Sequence, residues 1–255
     1  MKLSRSLGAL ASAAALSCVL GGASQEAGAA FTLTGCGGGD FGASCSLAEL
    51  VAGGSMDING TRFSNVELES FGGRALNAAV IRVDPLEQAS NPGFTLVDTG
   101  GTLSFANGEF TFNNLSFRVA MLTGGVEFQN ASLFMAVGGL NGSNSSVHVF
   151  EPIFDSTQAN FLGLNDALCE GTSAPSCANS TLSASTALSP QANVLSVSGA
   201  IDLTADAAGA AQINTIAMQF VTAPVPEPSS LALMALGLAG VVGVASRRRR
   251  AQAAG

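Results

Sequence analysis

Leu115-Ser116-Phe117-Arg118-Val119-Ala120-Met121 alternates large apolar residues with small or polar ones without a break. A period of two puts Leu115, Phe117, Val119 and Met121 on one side of an extended chain and Ser116, Arg118 and Ala120 on the other, the pattern of a strand with one buried face. The alternation recurs outward in both directions. Leu103/Phe105 and Phe110/Phe112 precede it; Leu133/Met135/Val137, Val147/Val149, Leu195/Val197/Ile201 and Ile216/Met218/Phe220 follow. Each set is expected to point into a core. Between the sets stand Asn59-Gly60, Gly100-Gly101, Asn107-Gly108, Gly124-Gly125 and Asn141-Gly142, and Asn-Gly supplies the positive φ angles that two-residue hairpins require. Nine or more short strands joined in this way predict an all-β fold, an antiparallel β-sandwich ectodomain over residues 31–222. The chain has 15 Phe with no Trp or Tyr, so Phe takes the large core positions. Helix is confined to residues 46–52. Residues 169–190, rich in Ser, Thr, Ala and Asn, read as a long exposed loop.

Charge removes one class of function. Of 255 residues, only ten are Lys or Arg, against 18 Asp or Glu. Lys2 and Arg5 lie at one end, and Arg247, Arg248, Arg249 and Arg250 at the other. Residues 31–223 keep only Arg62, Arg74, Arg82 and Arg118, with no lysine, beside sixteen acidic residues. Such a surface cannot neutralise a run of phosphates, which excludes nucleic acid as a partner.

Residues 1–30 read as a secretory signal peptide. Lys2 and Arg5 form its charged start, residues 7–20 its apolar run, and Ala27-Gly28-Ala29 places alanine at both −3 and −1 of a cleavage site. Gly22-Ala23-Ser24 is a second such site. Removing this segment discards Cys18 and leaves Cys36, Cys45, Cys169 and Cys177. An even number in an exported chain suggests disulfides, with three pairings open. The short separations favour Cys36–Cys45 and Cys169–Cys177. Neither spacing is that of a CxxC metal or redox site.

At the other end, Val225-Pro226-Glu227-Pro228 precedes an apolar run, and residues 229–246 carry no charge before the four arginines. As a helix this run spans about 27 Å at about 1.5 Å per residue, enough for a bilayer core. The arginines then stay cytoplasmic, which holds residues 31–222 on the side to which the signal peptide delivers them. Alternating Pro224, Pro226 and Pro228 bar a helix and bias the chain before the span toward an extended form.

A Pro-Glu-Pro motif, a short apolar helix and an arginine cluster in that order resemble the PEP-CTERM sorting signal of Gram-negative bacteria, here residues 223–250. The resemblance implies an exosortase, a membrane-embedded transpeptidase-like enzyme, that reads the signal and removes the helix. It also implies the secretion translocon as an earlier partner, the inner membrane with a periplasmic ectodomain as the first location, and the cell surface or extracellular matrix, with exopolysaccharide and biofilm, as the destination. Ser46-Leu47-Ala48-Glu49-Leu50, Gly53-Gly54-Ser55 and Phe63-Ser64-Asn65 likewise resemble the opening of many PEP-CTERM ectodomains, a pattern expected to carry no site.

No residue pattern in the body specifies catalysis. His148, the single histidine, lies between Val147 and Val149 and is expected on a solvent face with no nucleophile beside it. Gly37-Gly38-Gly39-Asp40-Phe41-Gly42 matches a nucleotide-loop string but sits between Cys36 and Cys45 with no βαβ context. Asp57-Ile58-Asn59-Gly60 reads as a hairpin rather than a calcium loop. Asp155, Asp166, Glu170, Asp202 and Asp206 are loop acids open to calcium, and six Asn-x-Ser/Thr triplets reflect composition. The expectation is a non-enzymatic exported protein with no cofactor and no catalytic or metal site. The alternative is a carbohydrate- or calcium-binding module held at the cell surface.

Overall fold

The computed structural model describes residues 31–37, 44–88, 91–171 and 181–224. Among them are fourteen strands. They run β1 Phe31–Thr34, β2 Cys45–Ser46, β3 Ser55–Ile58, β4 Thr61–Gly73, β5 Ile81–Gln88, β6 Asn91–Asp98 and β7 Ser104–Ala106. Then follow β8 Phe110–Met121, β9 Val126–Asn141, β10 Ser146–Asp155, β11 Phe161–Glu170, β12 Thr181–Ala192, β13 Val194–Thr204 and β14 Ala210–Pro224. One short helix, α1 Leu47–Val51, follows β2, and a 3-10 turn covers Ala78–Val80. The signal-peptide residues 1–30 and the segment from Val225 onward lie outside the described residues.

Two antiparallel sheets face each other. The first runs β1-β3-β4-β8-β13-β10-β11; the second runs β12-β9-β14-β6-β5-β2, with β7 added alongside β14. The inward sets of the sequence meet between them. Leu115, Phe117 and Val119 of β8 and Leu195, Val197 and Ile201 of β13 come from the first sheet; Leu133, Met135 and Val137 of β9 and Ile216, Met218 and Phe220 of β14 come from the second. Five phenylalanines form the centre. Phe220 contacts Phe63, Phe117 and Phe128 at centroid separations of 5.9, 6.4 and 5.9 Å, and Phe94 stands edge-on to Phe63 and Phe117. All but the tilted Phe63–Phe220 pair are edge-to-face contacts that suit the ring quadrupoles, and together they join both sheets through one cluster.

Local chemistry sets the connections. Asn59 and Gly60 both adopt positive φ and give the hairpin β3–β4. Asn107 and Gly108 also adopt positive φ, but their turn is no hairpin, because it passes the chain from β7 in the second sheet to β8 in the first. Helix α1 is closed by a capping box: Ser46 Oγ accepts from the Glu49 N–H, and Glu49 Oε2 accepts from the Ser46 N–H at 2.7 Å. Gly54 lets the chain turn back under the helix, since a Cβ there would lie 2.8 Å from the Glu49 carbonyl oxygen.

Two expectations are overturned. Phe110 and Phe112 point outward, 49% and 42% exposed, and Thr111 and Asn113 are buried instead. The longer run Leu115–Val119 fixes odd-numbered residues as the inward set of β8, and with no bulge between, the even-numbered phenylalanines must face out. The inward hydroxyl and amide are linked, with Asn113 Nδ2 donating to Thr111 Oγ1, which donates to the Arg74 carbonyl, while Asn113 Oδ1 has no partner. Nor are residues 169–190 a single loop, because Thr181–Ala192 is the edge strand β12, paired from Thr181↔Ala136 to Ala187↔Asn130 with β9. Its low hydrophobicity reflects its exposed face, where Thr181, Ser183, Ser185 and Ala187 meet solvent.

Candidate functional site

The last strand ends where the Pro-rich segment begins. Pro224 closes β14 opposite Val126 of β9. Val225, Pro226, Glu227, Pro228 and the four arginines lie outside the described residues, as do Ala27 and Ala29. Cys36 and Cys45 form a disulfide with Cα atoms 5.2 Å apart, and Cys45 is fully buried beside Val83. The bond closes the glycine-rich run into a loop, which Gly37 ties to α1 by donating its N–H to Glu49 Oε1 at 3.2 Å. Cys169 is also disulfide-bonded; Cys177 lies outside the described residues.

The candidate acids are mostly engaged locally. His148 stands on the outer face of the first sheet between buried Val147 and Val149, with Nε2 2.8 Å from Asp166 Oδ1. Asp202 lies opposite His148 in the ladder, its carboxyl raised by partial burial against the opposing pull of the imidazole. Asp155 closes its own turn, accepting from Asn160 Nδ2, from Thr157 Oγ1 and from the Ala159 N–H, which together hold its carboxyl down at about 2. Asp206 is lowered chiefly by the Ala207 N–H. Asp57 is bidentate to Arg62 across the Asn59-Gly60 hairpin. Glu170 borders a separate hollow with Ser143 and Asn144. Among the described residues no three His, Cys, Asp or Glu side chains converge as a metal site would require.

Two features escaped the sequence reading. The first is a polar groove on the outer face of the first sheet, lined by Asn65, Glu67, Ser116, Arg118, Gln158 and Ser196. Strand β4 brings Asn65 there through a bulge between Ser64 and Glu67. Its signal was available: Phe63 and Val66 are both buried three residues apart, which a plain period of two cannot do. Asn65 belongs to the opening pattern expected to carry no site, and the bulge gives it a place in this groove.

The second feature is Glu151, completely buried in β10 opposite Asn165 of β11. Asn165 Nδ2 donates to Glu151 Oε2 at 3.0 Å, while Glu151 Oε1 and Asn165 Oδ1 have no partner. Burial raises the carboxyl to about 7, against the opposing effect of the Asn165 hydrogen bond. Its parity with Val147 and Val149 was the signal.

No curated protein matches the chain in sequence. Among solved structures, the module TmCBM61 in complex with β-1,4-galactotriose aligns at a TM-score of 0.30 and 9% identity, over 61% of this chain and 88% of that one. The enzymatically active domain of bacteriophage CBA120 tailspike protein 4 aligns at 0.28 and 13%, over 60% and 19%. The CBM35 of Cellvibrio japonicus Abf62 aligns at 0.24 and 10%, over 64% and 99%. Residues 224–250 match the family described as the PEP-CTERM protein-sorting motif, a span that includes Val225 to Pro228 and the four arginines. With Pro224 as both the last residue of the sandwich and the first of that match, the chain carries the PEP-CTERM sorting signal of an exosortase-dependent exported protein.

Proposed function

We propose that this chain is a non-catalytic protein of the cell surface or extracellular matrix, delivered there by its two ends. Residues 1–30 direct export, and residues 229–246 hold the chain in the inner membrane with the sandwich in the periplasm. An exosortase then cuts near Val225-Pro226-Glu227-Pro228 and frees the body to join an exopolysaccharide matrix. The observation that carries this reading is the coincidence at Pro224. Every strand of the described residues ends by Pro224, so cleavage beyond it leaves the sandwich with all its hydrogen-bonded neighbours. Of the binding alternatives, the geometry favours polysaccharide over calcium, because Asp155 and Asp206 already accept hydrogen bonds from their own turns.

Intact-mass measurement on protein from cells with and without the exosortase tests the proposal. The expected result is a shorter, exported form lacking the arginine cluster only where the enzyme is present, and retention of the uncut chain in the membrane when Pro226, Glu227 and Pro228 are all replaced by alanine. Identical mass and location in all three cases would refute it.

A further inference from the structure

Four residues other than glycine adopt positive φ among the described residues. Asn59 does so in a hairpin and Asn107 in the turn between the sheets, each followed by glycine. The other two, Asn65 at +53° and Gln158 at +60°, belong to distant parts of the chain and line the same groove. Left-handed backbone is disfavoured for a side chain such as glutamine, and conformations of this kind concentrate where a surface is shaped for use.

Both walls are held in place. The bulge in β4 fixes Asn65, and the Asp155 carboxylate organises the turn that carries Gln158, whose Nε2 donates to Ser196 Oγ at 2.9 Å. Between them stands Arg118. The other arginines of the described residues are committed: Arg62 to Asp57, Arg74 to Glu109 and Arg82 to Asp84. Arg118 is exposed and has no ion pair or hydrogen bond there, and Glu67 beside it in the groove has none either. On the far side of Ser196 in the same ladder row lies Phe154, edge-on to Phe161, which is 57% exposed. Strands about 4.8 Å apart place the guanidinium and the first ring on backbones roughly 10 Å apart.

The groove therefore offers carboxamide, hydroxyl, guanidinium and carboxylate groups within one short span, with apolar rings at its edge. The geometry points to a neutral polysaccharide segment, lying across β4, β8 and β13, as its occupant. Dense hydroxyls use donors and acceptors in equal measure, and the C–H faces of sugar rings suit Phe154 and Phe161. A polyanion is disfavoured, because Glu67 offsets Arg118 and the body carries sixteen acids against four arginines. This names a partner for the matrix protein proposed above and rests on that reading for the polymer's presence, while the binding itself is measurable apart from any sorting.

The test is affinity electrophoresis of the full-length chain in a non-saccharide detergent, in gels containing hydroxyethylcellulose, β-1,4-galactan, galactomannan or alginate. At least one neutral polymer is expected to retard the protein. Arg118→Ala should weaken retardation about tenfold, the size of one lost charged hydrogen bond, and Arg82→Ala on the other sheet should leave it unchanged. Gln158→Gly supplies a residue suited to φ +60° and should keep or raise the melting temperature while weakening retardation. Retardation by alginate alone, by none of the four, or equally in wild type, Arg118→Ala and Gln158→Gly would overturn the assignment, as would release of a dimer by Arg118→Ala.

Discussion

Glu151→Gln is expected to stabilise the protein at alkaline pH and to remove most of its pH dependence between 5 and 9. The carboxyl is raised from an ordinary 4.5 to about 7 in the folded chain. The folded state therefore holds a proton that the unfolded state has released, and its contribution is complete below about 4.5 and lost as pH rises through 7. A displacement of this size corresponds to about 3 kcal/mol at 1.36 kcal/mol per unit. The structure supplies the reason the proton is favoured: it makes Glu151 a donor in a place where Asn165 Oδ1 has none. Glutamine provides that donor at every pH and keeps an oxygen for Asn165 Nδ2. Urea unfolding followed by far-UV circular dichroism should show wild type losing about 3 kcal/mol from pH 5 to 9, with the variant nearly flat. Glu151→Ala should cost at least about 2 kcal/mol at pH 5, by creating a cavity and leaving Asn165 without its partner. Parallel wild-type and Gln curves, or a variant weaker at pH 9, would refute the reasoning.

Further perturbations address other parts of the fold. Phe220→Ala removes the ring that joins Phe63, Phe117 and Phe128 across the sheets and should cost about 3–5 kcal/mol in equilibrium unfolding. Reducing the Cys36–Cys45 bond, or replacing both residues with serine, opens a loop with a sequence separation of 9; by the loop-entropy estimate this costs about 2–3 kcal/mol, read as a lower urea midpoint. Ser46→Ala removes one half of the capping box and should lower stability by about 1 kcal/mol, with faster amide exchange confined to α1.

Much of the sandwich was legible because burial on one face imposes parity, and parity survives in the sequence wherever the buried residues are large. Leu133/Met135/Val137 and Leu195/Val197/Ile201 are such cases. The turns at Asn59-Gly60 and Asn107-Gly108 were legible for a different reason, the backbone conformation that Asn-Gly favours, though only the first closes a hairpin and the second crosses between the sheets. What misled was hydrophobicity read without phase. Phe110 and Phe112 are apolar but sit on the wrong parity for a strand anchored by Leu115 to Val119. The edge strand β12 hid because its exposed face is built of small polar residues such as Thr181, Ser183 and Ser185, whose composition resembles that of a loop. The groove was the least legible, since Asn65, Arg118, Gln158 and Ser196 come from four separate elements and meet only through sheet order and one bulge. The sorting signal needs no folded neighbours and is therefore readable as a linear string.

Strand β14 has a consequence for timing. It is the last strand among the described residues, yet it stands in the interior of the second sheet, between β9 and β6. Before residues 210–224 have emerged from a channel, that sheet exists only as two disconnected ribbons, and Phe63, Phe117 and Phe128 lack the ring that unites them. Maturation of a threaded polypeptide is thereby postponed until the stretch immediately ahead of the Pro-Glu-Pro tripeptide is through, so the order of emergence keeps the chain pliable in transit and lets it set only on arrival.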